Sequence, residues 1–339
     1  MLWDRAEGGA VRCNLCAHRC RIAEGKLGFC RVRKNVGGAL KTLTYGWVCA
    51  LHVDPIEKKP LFHFLPGSRS LSIATPGCNF RCSFCQNWQI SQQPRQDEDG
   101  LDSPSLQTEF IPPETIVELA RQNRCASISY TYTEPTIFFE LAYDTARLAR
   151  KHGIKNCFVS NGFMTPEAVE TIAPVLDAIN VDLKFFSEET YRTVCGGALQ
   201  PVLDCLVNLV RAGVWVEVTT LVVPGMNDSE EELRQIAEFI ATRLGPHVPW
   251  HVSRFHGDYQ QRSAPATPLA TLELARDLGL RAGLKYVYGG NAPGQVDERT
   301  YCTRCREVLI DRLGFTVENL RLKNGLCPNC QTPAEGVWE

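Results

Sequence analysis

The sequence predicts an α/β protein built on a parallel sheet, and three observations carry that expectation. Between about residue 70 and about residue 290, short apolar runs alternate with longer segments of helical character. Prolines stand near the starts of several longer segments, where a missing N–H costs nothing, and glycines follow two of them as stops. Three closely spaced cysteines fall in a loop just past the first apolar run, where parallel-sheet enzymes keep their sites.

The chain of 339 residues divides into a cysteine-rich, basic extension (1–60), a core (61–295) and a small C-terminal module (296–339). In the core, strands are expected at 71–74, 126–131, 155–160, 178–183, 214–223 and 251–255. Helices are expected at 113–122, 137–152, 166–175, 201–212, 230–243 and 269–280. Pro113, Pro166 and Pro201 mark helix starts, and Gly153 and Gly213 mark ends. Six strands alternating with six helices imply right-handed crossovers and a parallel sheet, whose strands read as continuous apolar runs, as 214–223 does. An open doubly wound sheet is the rival, but no G-x-G-x-x-G follows the first strand. The polar stretch from Gln92 to Gln107 reads as a surface loop.

Composition is that of an ordinary soluble protein, with 44% hydrophobic and 22% charged residues. A net charge of −2 argues against nucleic acid as partner. The local exception is Arg12, Arg19, Arg21, Lys26, Arg31, Arg33 and Lys34, read as a solvated basic face before a docking patch. No signal-peptide core and no run of about 18 apolar residues is present, so a cytoplasmic location without membrane contact is expected. There thiols stay reduced, and clustered cysteines among the 16 point to metal rather than disulfides.

Three clusters have ligand-like spacing. Cys78, Cys82 and Cys85 form C-x3-C-x2-C. A cubane [4Fe–4S] cluster normally takes four thiolates, so three would leave one iron open to a substrate or cofactor. Cys302-x2-Cys305 and Cys327-x2-Cys330, separated by 21 residues, suit a closed zinc-ribbon-like site of four thiolates. Cys13, Cys16, Cys20 and Cys30 would hold zinc or an auxiliary cluster. Cys49, Cys125, Cys157, Cys195 and Cys205 stand alone; Cys125 and Cys157 read as core, and Cys195 as a loop thiol without a partner.

The C-x3-C-x2-C array, with Phe84 beside its last cysteine, resembles the signature of the radical S-adenosylmethionine (SAM) enzymes. The resemblance implies a partial (βα)6 TIM-like barrel with the cluster loop after its first strand. It implies a [4Fe–4S] cluster whose open iron binds SAM. It also implies reductive cleavage of SAM to a 5′-deoxyadenosyl radical that abstracts hydrogen from a substrate, with an external electron donor such as flavodoxin or ferredoxin. By that resemblance the later strand ends would hold SAM. Glu134, in Thr133-Glu134-Pro135, is the candidate for its ammonium group; a helix cap is the plain alternative. Ser160 and Asn161 are candidates for the ribose hydroxyls, with a simple Asn-Gly turn as the plain alternative. Asp182 and Lys184 alternate with apolar residues, so both would face the barrel interior, as site residues or as a structural ion pair. Thr219 stands where glycyl-radical activases carry an arginine for the SAM carboxylate. His256 would contact adenosine or relay a proton.

Asp54-Pro55-Ile56-Glu57-Lys58-Lys59-Pro60-Leu61, Tyr286-Val287-Tyr288 and the terminal cysteine arrays narrow the resemblance to the AmmeMemoRadiSam system radical SAM enzymes, a group akin to pyruvate formate-lyase activating enzymes. That implies association with Memo-like and Ammecr-like proteins. The expected function is radical SAM chemistry on a small molecule, peptide or protein. A glycyl-radical activase and a non-catalytic metal-binding docking protein are the alternatives.

Overall fold

The computed structural model describes residues 1–92, 94, 101 and 106–339, so most of the polar stretch from Gln92 to Gln107 lies outside the described residues. Among the described residues, eight strands form the central sheet: β1 (Ala50–Pro55), β2 (Arg69–Ala74), β3 (Ser127–Tyr130), β4 (Lys155–Ser160), β5 (Ala178–Asp182), β6 (Trp215–Val222), β7 (Trp250–Arg254) and β8 (Val287–Gly290). They lie side by side in chain order. From β2 to β8 every pair is parallel, and β1 pairs antiparallel with β2. The six expected strands are present. The sheet gains β8 beyond them, and its other edge, β1, comes from the last part of the cysteine-rich extension.

Among the described residues, six helices of seven residues or more cross between the strands: α1 (Pro113–Gln122), α2 (Phe139–Lys151), α3 (Pro166–Ile172), α4 (Leu199–Arg211), α5 (Glu230–Phe239) and α6 (Leu269–Arg281). Their starts have local causes. Thr165 Oγ1 accepts from the Ala168 amide at 3.2 Å with Pro166 at the first helical position, and Ser229 caps the Glu232 amide at 3.3 Å. Helix α4 begins two residues ahead of Pro201 because the Glu188 carboxylate accepts from the Leu199 and Gln200 amides, both at 2.9 Å. Leu141, Ala142, Ala146 and Ala149 of α2, and Leu206 and Leu209 of α4, are buried in one core with Ile128, Phe158, Ile179 and Val218 of the strands. Among the described residues no single helix is long and apolar enough to cross a membrane.

The segment from Pro60 to Phe64 crosses the sheet near the starts of β4 to β6. Leu61 and Phe64 pack on Cys157 and Ala178. The fully buried Glu217 carboxylate accepts from the Phe62 and His63 amides at 3.0 and 2.8 Å, from Trp215 Nε1 at 3.0 Å, and bonds His251 Nε2 at 2.7 Å. The C-terminal module, with antiparallel strands Thr300–Tyr301, Val308–Leu313 and Thr316–Leu320, docks on the same segment. Buried Arg312 donates to the Phe62 carbonyl at 2.6 Å, and the Val337 amide donates to the His63 carbonyl at 2.7 Å.

His63 gives this joint a pH dependence. Its ring nitrogens bond the Glu335 carbonyl and the Tyr288 hydroxyl, each at 2.6 Å. Burial holds the imidazole down at about 4, below its ordinary 6.5, although Glu217 opposes the shift. The unfolded chain therefore binds the proton first, and stability is lost as pH falls from 6.5 towards 4. Between pH 7 and pH 5 the loss from this group is about 2 kcal/mol. Urea titrations of wild type and His63→Gln at both pH values check this; an equal pH slope in the variant would contradict it.

Candidate functional site

The C-terminal ends of β2 to β7 surround a cavity of ≈ 380 Å³, within the roughly 300–1,000 Å³ range of small-molecule sites. The loop 75–87 closes one side and brings Cys78, Cys82 and Cys85 to its wall. The local sequence explains the loop's path. Gly77 has φ +97°, and a Cβ there would come within 2.8 Å of Val32 Cγ1. Phe80 is buried against Phe163 and Tyr191, and Phe84 against Phe185, so the aromatic residues between the cysteines anchor the loop while the thiols face the cavity. Gly197 leaves room for Phe80, whose ring a Cβ would meet at 2.4 Å.

The thiols are supported individually. The Phe80 amide donates to Cys78 Sγ at 3.3 Å, and Cys85 Sγ lies 3.1 Å from Ser91 Oγ. Burial pushes the Cys78 and Cys85 thiols above their ordinary value, with Glu134 adding to the rise at Cys78. Cys82 is raised first by its hydrogen bond with Cys195, then by burial. Cys195 is thus neither solitary nor in an open loop: it is buried at the end of the helical turn Tyr191–Cys195, and its carbonyl accepts from the Arg81 amide at 2.7 Å. Metal coordination would offset the cost of thiolate burial.

Ser160, Asn161, Asp182, Lys184 and Thr219 also line the cavity. Lys184 Nζ bonds Asp182 Oδ2 at 2.9 Å; burial alone would lower this amine, but Asp182 and the neighbouring Cys82 hold it above its ordinary value. Two cavity residues carry buried polar atoms without a partner, Thr219 Oγ1 and Asn180 Oδ1. Buried polar atoms are normally satisfied, so these orphans fit a polar ligand such as SAM. A second cation, Lys59, lines the cavity on the side of β1. It bonds Asp54 at 2.7 Å and lies over the Tyr132 ring at 4.5 Å. Lys59 arrives from outside the strand ends, whereas Asn180 lies within β5 two residues before Asp182, on the same face by the two-residue period.

Two expected residues stand elsewhere. Glu134 is fully buried and absent from the cavity wall. Its Oε1 accepts from Thr136 N at 3.1 Å, Thr136 Oγ1 at 2.6 Å and Ser160 Oγ at 2.8 Å, and its Oε2 from Asn161 N at 2.8 Å. It caps the turn Pro135–Phe138 and tethers the end of β4. His256 is exposed and lies outside the lining, although the chain just after it returns to the cluster loop, where the Gln260 amide donates to the Ser83 carbonyl at 3.1 Å.

At the C-terminal end, Cys302, Cys305, Cys327 and Cys330 have their sulfurs all within 4.8 Å of one another. The pairs Cys302–Cys330 and Cys305–Cys327 are 3.5 and 3.6 Å apart. Four thiolates around one tetrahedral zinc, with bonds of about 2.3 Å, lie about 3.8 Å apart. The group therefore has the dimensions of a single-ion site. The basic run near the N-terminus is only partly a solvated face: Arg33 is buried and paired with Glu140, and Arg19 pairs with Glu167.

The profile of the Radical SAM superfamily matches residues 72–240, from β2 through α5. An uncharacterized protein of Methanocaldococcus jannaschii is 44% identical over 332 residues, 97% of this chain and 96% of its own. The pyruvate formate-lyase 1-activating enzyme of Escherichia coli is 24% identical over 177 residues, 51% of this chain and 69% of its own. The crystal structure of a radical SAM methyltransferase from Sphaerobacter thermophilus aligns with a TM-score of 0.52 at 14% identity, over 68% of each chain, a likeness of fold.

Proposed function

The chain belongs to the radical SAM superfamily and is an enzyme, and from that premise we propose that Cys78, Cys82 and Cys85 hold a [4Fe–4S] cluster while the adjoining cavity binds SAM. The observation that carries the proposal is the three-thiol loop facing a cavity that also holds the Asp182–Lys184 pair and the two orphan polar atoms. When bound, the cluster and SAM supply a 5′-deoxyadenosyl radical for hydrogen abstraction. The chain's own residues bind and orient. Asp182, paired with Lys184 on the cavity wall, is the carboxylate for the SAM ammonium, and Lys184 the cation for its carboxylate, taking the place of the activase arginine. Thr219, Asn180, Ser160 and Asn161 offer hydrogen bonds to polar groups of SAM.

Glu134 acts as a positioning residue. Glu134→Gln would turn an NH2 either towards the Asn161 amide or towards the Thr136 and Ser160 donors, at a cost of about 1–3 kcal/mol in stability. It should weaken SAM binding only through the displaced β4 end. Calorimetric SAM titration and thermal melts of the anaerobic variant check both; unchanged stability would contradict the tether.

We place the enzyme in the AmmeMemoRadiSam group, in the cytoplasm, with a flavodoxin- or ferredoxin-like electron donor, Memo-like and Ammecr-like partners and zinc on the C-terminal cysteines. The substrate is a small molecule, peptide or protein. A second reading, a glycyl-radical activase, draws support from the similarity to the E. coli activating enzyme. It would require a partner that acquires a glycyl radical, visible by EPR after incubation with SAM and reductant.

A further inference from the structure

We propose that Cys13, Cys16, Cys20 and Cys30 hold a second [4Fe–4S] cluster rather than zinc. The four cysteines line one pocket with apolar walls from Leu15, Ile22, Phe29 and Ile137. Their spacing separates the two metals. Among the described residues, the C-terminal cysteines are the group of three or more potential ligands whose atoms all lie within 4.8 Å of one another. No three of the N-terminal thiols meet that limit, and neither do Cys78, Cys82 and Cys85. A single zinc needs ligands about 3.8 Å apart. A cubane spreads its thiolates over four irons and needs them farther apart. The N-terminal array thus converges on one pocket without the close single-ion spacing of the C-terminal site.

The surroundings suit an anionic cluster. The Phe29 amide donates to Cys20 Sγ at 3.4 Å. Such N–H donors and nearby charge set the potential of a cluster. The buried guanidinium of Arg33 stands beside Cys13 and Cys30, fixed by Glu140 and by the Ile137 carbonyl at 3.1 Å. The pocket also abuts the first cluster's loop. The Cys30 carbonyl would meet a Cβ on Gly77, next to Cys78, at 3.2 Å. His18 Nε2 bonds the Asn79 carbonyl at 2.8 Å. A carbonyl and a histidine on the array's loops thus touch the loop that carries Cys78.

The test is metal and sulfide analysis of the full chain, reconstituted anaerobically with iron, sulfide and zinc. Wild type should hold about eight irons, about eight sulfides and about one zinc. The Cys78→Ala, Cys82→Ala, Cys85→Ala variant should keep about four irons and a [4Fe–4S] EPR signal indifferent to SAM. Wild type with about four irons and about two zincs, or with about four irons and one zinc, would overturn the proposal. Because the wild-type count decides, poor folding of a variant cannot rescue it. Eight irons without any response to SAM would leave this proposal standing and refute the SAM reading.

Discussion

Replacing Cys78, Cys82 and Cys85 together by alanine should abolish SAM cleavage, a loss of at least about a thousandfold, or about 4 kcal/mol of barrier. The three side chains are the cavity's thiols at the end of β2. The loop itself should survive, because Phe80 and Phe84 anchor it independently of the cysteines. The variant should therefore melt as a folded protein and still bind SAM weakly through the strand-end polar groups. Anaerobic single-turnover assays with dithionite, read by chromatography of cleaved SAM, check the result. Residual cleavage within tenfold of wild type would mean that another group of cysteines does the chemistry.

Glu217→Ala should destabilise the fold most among substitutions outside the metal sites. It strips acceptors from two backbone amides, Trp215 Nε1 and His251 Nε2, all in a fully buried setting. Removing one member of a buried charged network costs about 3–5 kcal/mol. The effect should extend to the C-terminal module, since Arg312 and Val337 dock on Phe62 and His63, the residues that Glu217 holds. Urea unfolding of wild type, Glu217→Gln and Glu217→Ala measures it. The glutamine variant keeps one acceptor oxygen and should fall between the others; a loss under about 1 kcal/mol in the alanine variant would show that water replaces the carboxylate there.

Local signals in the sequence sufficed for the parallel sheet. The continuous apolar runs of β2 to β7 and the Pro and Gly punctuation mark elements whose cause is local, and α1 matches its expected span of residues 113–122. Strand β8 escaped because Tyr288-Gly289-Gly290 looks like a turn. Its glycines are required by close neighbours: a Cβ on Gly289 would come within 2.2 Å of Val296, and one on Gly290 within 2.6 Å of Ser253 Oγ. Strand β1 escaped because it is an antiparallel edge with exposed His52 and Val53, and it reads as part of the extension.

The site divides in the same way. Ser160, Asp182 and Thr219 lie on strands, where the two-residue period fixes which side chains face inward, and Asn161 and Lys184 follow just past strand ends. Glu134 and His256 lie beyond strand ends, where no period fixes direction, and neither is on the cavity wall, Glu134 instead holding Ser160 and Asn161 of that wall. The Cys82–Cys195 contact and the approach of Lys59 join residues far apart in sequence, which no local pattern encodes.

The central claim is that this cavity brings SAM to a reduced cluster on three cysteines. Its most direct measurement is the EPR spectrum of the dithionite-reduced, anaerobically reconstituted chain with and without SAM, paired with quantification of 5′-deoxyadenosine. The account predicts a SAM-dependent change in the cluster signal and 5′-deoxyadenosine formation, both requiring reductant and both lost without Cys78, Cys82 and Cys85. A fully loaded, reduced protein whose spectrum ignores SAM and which forms no 5′-deoxyadenosine would contradict it.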